Sequence, residues 1–111
     1  MSATFETESA YQKAADATFR SLEDLFRDVD AEDVDCERAG DVLTLAFKNR
    51  TKCVVNTQRP TRQIWLAAGA RAWHFSWDAA KSEWRDDKTG ADELFATVKR
   101  IVKEQSGLDV A

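Results

Sequence analysis

The sequence predicts an α+β two-layer sandwich, with N- and C-terminal helices packed on one face of an antiparallel sheet of about six strands. Two observations carry this. Apolar residues recur at helical spacing at both ends of the chain and at alternate positions between them. The strand-like segments also follow one another through short turns, which leave no room for the long crossovers that parallel strands require. With 111 residues, 43% of them hydrophobic and 32% charged, one core can be buried without a disulfide framework or a structural metal. Residues 1–111 are therefore expected to form a single domain.

The first element runs from about Phe5 to Val29, where Tyr11, Ala15, Phe19, Leu22, Phe26 and Val29 fall on one helical face. Its charged positions offer Glu23 with Arg27 and Arg20 with Asp24 as ion pairs one turn apart, whereas Asp24 and Asp28 repel at the same spacing. The period then changes to two. Val34 and Cys36 alternate with Asp35 and Glu37, Ala39-Gly40-Asp41 turns the chain, and Leu43, Leu45 and Phe47 share one side of a second strand over 42–47. Asn49-Arg50 marks the next turn, and 52–56 reads as a third strand. The only proline, Pro60, lies in the connection before a strand at 63–67. Further strands are expected at 73–77 and 83–85. After the turn at 86–90, Leu94, Phe95, Val98, Ile101 and Val102 restore helical spacing, and Gly107 is placed to end that helix.

Charge is unevenly spread. Residues 1–37 hold eleven acidic and three basic residues, while the remaining 74 hold nine and thirteen. An acidic N-terminal third suits cations or a basic partner and argues against nucleic acid. Cys36 and Cys53 match no zinc or cluster spacing and read as reduced strand residues. No segment has the apolar length to cross a bilayer, and Met1 to Glu6 lack the features of an export signal, so a cytosolic location and no membrane partner are expected.

Enzymatic constellations are not evident. His74, the sole histidine, has no nucleophile or acid near it in sequence, and it reads as a histidine on a sheet surface. The crowded carboxylates are hard ligands suited to hard cations, but on an outward-facing helix and strand they would hold ions weakly and promiscuously. The same run would also serve as a solubilising face. Trp65 alternates with Ile64 and Leu66, so either it or both neighbours must face away from the helices. An outward Trp65 beside Asn56, Gln58 and Gln63 would form the amide-and-aromatic patch of a protein interface.

The block Asn56-Thr57-Gln58-Arg59-Pro60-Thr61-Arg62-Gln63-Ile64-Trp65-Leu66-Ala67 closely resembles the signature of the frataxin family. The resemblance extends to Asp33-Val34-Asp35-Cys36-Glu37, Val42-Leu43-Thr44-Leu45, Trp73-His74-Phe75, Glu83-Trp84 and the closing helix, and it is most similar to the bacterial CyaY-type branch. It implies the same sandwich and an acidic ridge on the first helix and strand. That ridge would bind iron as Fe2+ or Fe3+, with other divalent or trivalent cations as substitutes, through Glu23, Asp24, Asp28, Asp30, Glu32, Asp33 and Asp35. The resemblance further implies docking on the cysteine desulfurase and the iron-sulfur scaffold protein, through the ridge and through Asn56, Gln58, Gln63, Trp65 and His74, the last standing where eukaryotic members often have arginine. Two positions depart from the family pattern. Gly69-Ala70-Arg71-Ala72 suggests a different hairpin, and Ser76 replaces a common acidic residue.

The resulting expectation is a monomeric regulator of iron-sulfur cluster assembly. The rival is an iron chaperone or ferroxidase store forming oligomers with ferric iron. The family resemblance leaves ferroxidase activity open, although the chain has no Glu-x-x-His motif of the di-iron bundles. A third reading assigns the ridge to solubility alone.

Overall fold

The computed structural model describes residues 5–110, so the export-signal expectation for Met1–Glu6 falls mostly outside it. Helix α1 spans Glu8–Leu25 and α2 spans Leu94–Ser106; between them lie β1 (Val34–Ala39), β2 (Val42–Phe47), β3 (Lys52–Gln58), β4 (Gln63–Ala68), β5 (Arg71–Asp78) and β6 (Glu83–Asp86). The strands form one antiparallel sheet in sequence order. Both helices cover the same face, as the two-layer expectation requires. Among the described residues no helix is long and apolar enough to cross a membrane.

Helix α1 is shorter than its apolar spacing suggests. It starts one residue after Thr7, whose hydroxyl accepts the Ala10 N–H at 3.0 Å as an N-cap. It ends at Leu25 rather than Val29: the Phe26, Arg27 and Val29 N–H groups bond to carbonyls only three residues back. The last turn of the helix carries no basic residue, and Asp24 and Asp28 add negative charge where the macrodipole is already negative. Val29 still packs against the core from outside the helix. At the other end of the chain, Gly107 takes φ 78° and donates to the Lys103 carbonyl at 2.9 Å, the left-handed cap expected of glycine.

Alternation along the strands builds the core. Leu43, Leu45 and Phe47 of β2, Cys53 and Val55 of β3, and Ile64 and Leu66 of β4 are buried against Tyr11, Phe19 and Leu22 of α1 and Val98, Ile101 and Val102 of α2. Trp84 reaches the α1 side, where its indole N–H donates to Thr18 Oγ1 at 2.9 Å; that hydroxyl in turn donates to the Ala14 carbonyl. Cys36 and Cys53 are both free and sit on either side of Leu45 in the ladder, two strand spacings or about 9–10 Å apart. That separation exceeds what a disulfide can bridge. Burial raises their thiols to about 11 for Cys36, with Glu23 and Asp35 contributing, and to about 12 for Cys53.

Two strands outrun their sequence limits in ways that matter for the site. β3 continues to Gln58 because Thr57 and Gln58 still pair with Ile64 and Gln63. β5 begins at Arg71, directly after a two-residue turn in which Gly69 adopts φ 62°. Arg71-Ala72 thus opens a strand, and the altered hairpin at Gly69-Ala70 is a tight one.

The Trp84–Thr18 bond gives a stability test. Thr18→Val keeps the shape but leaves the buried indole N–H without an acceptor, and should cost about 1–3 kcal/mol by urea denaturation with an unchanged m-value.

Candidate functional site

The ladder register decides which side chains share the uncovered face. Asn56 pairs with Trp65, Gln58 with Gln63, and Trp65 with His74, so these five residues stand together on the side opposite the helices. Ile64 and Leu66 are fully buried on the helix side, so Trp65 is the outward member of the alternation. Its ring stacks on His74, with centroids 4.1 Å apart and planes 13° apart. Trp73, Trp77 and Trp84 instead belong to the helix side, where they pack with or within the core.

A hydrogen-bonded group holds the patch in place. Gln63 Oε1 accepts from Trp65 Nε1 at 2.9 Å, while Gln63 Nε2 donates to Ser76 Oγ at 3.0 Å and to Asp87 Oδ2 at 2.9 Å. Asp87 Oδ2 also lies 4.0 Å from His74 Nδ1. Sequence reasoning assigned Asp87 only to a turn. The signal available was its place one residue beyond β6, since Asp86 pairs with Phe75 and the next residue must fall beside His74.

The acidic residues are arranged in three settings. Glu23 and Asp24 lie on the last turns of α1; Asp28, Asp30, Glu32 and Asp33 lie in the connection to β1; and Asp35 lies on β1 opposite Ala46, on the uncovered face. Among the described residues no three His, Cys, Asp or Glu side chains come close enough to hold one metal ion. Asp24 is paired with Arg27, and Asp30 Oδ1 accepts the Glu32 N–H at 2.9 Å, shaping the turn. The sequence-based pairs Glu23–Arg27 and Arg20–Asp24 do not form: Arg20 meets Asp16 at 2.6 Å, and Glu23 turns inward to Arg38 at 3.4 Å.

Arg38 was not anticipated. It is the one base between Arg27 and Lys48, and as an inner-face residue of β1 it points at α1. Its guanidinium binds Asp16 at 2.5 Å, reaches Glu23, and lies over the Phe19 ring at 5.1 Å from the centroid. The Arg38 hydrogen bond, with the Arg20 and Arg38 charges, holds the Asp16 carboxyl below the usual carboxylate range. Arg38 therefore offsets the charge of Asp16 and Glu23 on the sheet-facing side of α1.

With this geometry in hand, known proteins place the chain in context. Residues 4–108 match the family model for the frataxin-like domain. The iron-sulfur cluster assembly protein CyaY of Paraburkholderia phytofirmans is 42% identical over 101 residues, which cover 91% of this chain and 92% of that protein. Frataxin from Psychromonas ingrahamii superposes with a TM-score of 0.85 at 31% identity, covering 94% of this chain and 95% of the other. Trimeric frataxin from the yeast Saccharomyces cerevisiae, complexed with ferrous iron, gives 0.66 at 25% identity, covering 96% and 91%.

The Asp16–Arg38 pair has a pH signature. Because the folded Asp16 carboxyl is depressed, the pair's contribution is full above the unfolded value of about 4 and is lost as pH falls through the lower folded value. Urea denaturation should show wild type and Asp16→Asn differing most above about pH 5 and converging as the pH is lowered. A gap that stays constant with pH would refute this assignment.

Proposed function

The chain belongs to the frataxin-like family, in its bacterial CyaY branch, and from that membership we propose that it is an iron-binding regulator of iron-sulfur cluster assembly. Iron is its cargo, as Fe(II) or Fe(III), held weakly and in exchange with water by Glu23, Asp24, Asp28, Asp30, Glu32, Asp33 and Asp35. Other divalent and trivalent cations compete for the same oxygens. The chain acts in the cytosol and docks on the cysteine desulfurase and scaffold assembly through two surfaces. The outer ridge meets a basic partner surface, and Asn56, Gln58, Gln63, Trp65 and His74 meet the other component.

The observation that carries this reading is the uncovered sheet face. It places five polar and aromatic residues side by side with no helix of the described residues over them, and it holds Trp65 half-buried and ordered by a stack and a hydrogen bond. An aromatic fixed before binding loses little conformational freedom on docking, which is the property of an interface anchor. The scattered carboxylates support loose iron binding rather than a chelated centre. The trimeric, ferrous-complexed yeast relative favours a second reading, iron-dependent assembly into oligomers. Sedimentation with and without Fe(II) separates the two.

Amide NMR titration tests the ridge. Replacing Asp24, Asp28 and Glu32 by their amides spares the Glu23–Arg38 contact and the Asp30 turn. Binding of anaerobic Fe(II) should weaken, and desulfurase affinity should fall about tenfold at low salt, with the difference vanishing at high salt. Unchanged binding would leave the ridge a solubilising face. For the sheet, Trp65→Ala should cost about 2 kcal/mol or more in partner binding and about 1 kcal/mol or less in stability, since the core does not include its ring.

A further inference from the structure

Asp87 lies just after β6, yet its side chain reaches Gln63 and His74 on the uncovered face. Its Oδ2 accepts from Gln63 Nε2 at 2.9 Å, and its backbone N–H donates to the His74 carbonyl at 2.8 Å, which fixes where the carboxylate sits. A carboxylate offers only acceptors and an indole N–H only a donor. The Gln63 amide stands between the two, so only one of its two orientations satisfies both: Nε2 toward Asp87 and Oε1 toward Trp65 Nε1. The flipped amide would set oxygen against oxygen and N–H against N–H. Ser76 Oγ, 3.0 Å from Gln63 Nε2, imposes no such choice, because a hydroxyl can donate or accept.

We propose that Asp87 is the positioning residue of the uncovered face, which through the Gln63 amide locks the Trp65 ring, on its stack with His74, in the orientation a docking partner meets. The lock is a property of the free protein; its effect on affinity rests on the docking role proposed above. Without the lock, ordering Trp65 and Gln63 is left to the binding step, and affinity should fall about two- to tenfold.

The test uses the indole N–H cross-peaks of the four tryptophans, with that of Trp65 identified by its disappearance in Trp65→Phe. In Asp87→Ala the Trp65 indole N–H should shift and exchange with water faster, at an unchanged melting temperature. Asp87→Asn, which keeps an oxygen acceptor for Gln63 Nε2, should retain the wild-type peak, and Ser76→Ala should retain it as well. An unmoved Trp65 peak in Asp87→Ala, or an equal loss in Asp87→Asn, would overturn the proposal. Titration with the desulfurase–scaffold assembly then reads the consequence. A two- to tenfold loss in Asp87→Ala supports it in full, whereas a displaced indole with unchanged affinity leaves the lock standing and overturns docking by this face.

Discussion

The fold depends on where α1 is fastened to the sheet, and the Tyr11 hydroxyl does the fastening. Tyr11 is completely buried; its hydroxyl donates to the Gln63 carbonyl at 2.6 Å and accepts the Gln58 N–H at 3.1 Å. These two residues form the last pair of the β3–β4 ladder before the chain turns through Pro60. One side chain thus satisfies two main-chain groups at an open hairpin end and sets the position of the helix. Burial raises the Tyr11 hydroxyl above its ordinary value, so it remains a donor throughout the physiological range.

That attachment couples the two faces of the molecule. The backbone of Gln58 and Gln63 is held from the helix side, while their side chains stand on the opposite side among Asn56, Trp65 and His74. The polar face is therefore mounted on a part of the sheet that α1 holds through its main chain. The acidic connection between α1 and β1 is organised differently. It is shaped by turn bonds to the Asp30 carbonyl and side chain, and its carboxylates are spread over a helix end, a connection and a strand. One surface is held by fixed hydrogen bonds, and the other presents its charge as a spread field.

Much of this was legible in the chain itself. Period-two alternation identified the buried side of β2, and the alternation of Ile64, Trp65 and Leu66 required either Trp65 or its neighbours to face outward, a choice the burial of Ile64 and Leu66 resolves. Gly107 announced the end of α2 by the conformation that only glycine adopts without strain. What could not be read depended on contacts between distant segments. Apolar spacing ran on to Val29 because Val29 does touch the core, although the helix has already ended under its own like charges. Local spacing suggested partners for Glu23 and Arg20, but Arg38, fifteen residues beyond Glu23, draws Glu23 inward across the α1–β1 gap. Asp87 joined the Gln63–Trp65 group only because β6 runs back beside β5.

The two free thiols stand out in a chain whose relatives are named for iron-sulfur cluster assembly. A thiol that ionises only near pH 11 or 12 is almost entirely protonated at neutral pH, and it is the thiolate that ligates soft metals and attacks sulfur. Cys36 and Cys53 are thus poor nucleophiles and poor ligands for soft metals, and their role in this fold is to pack rather than to react.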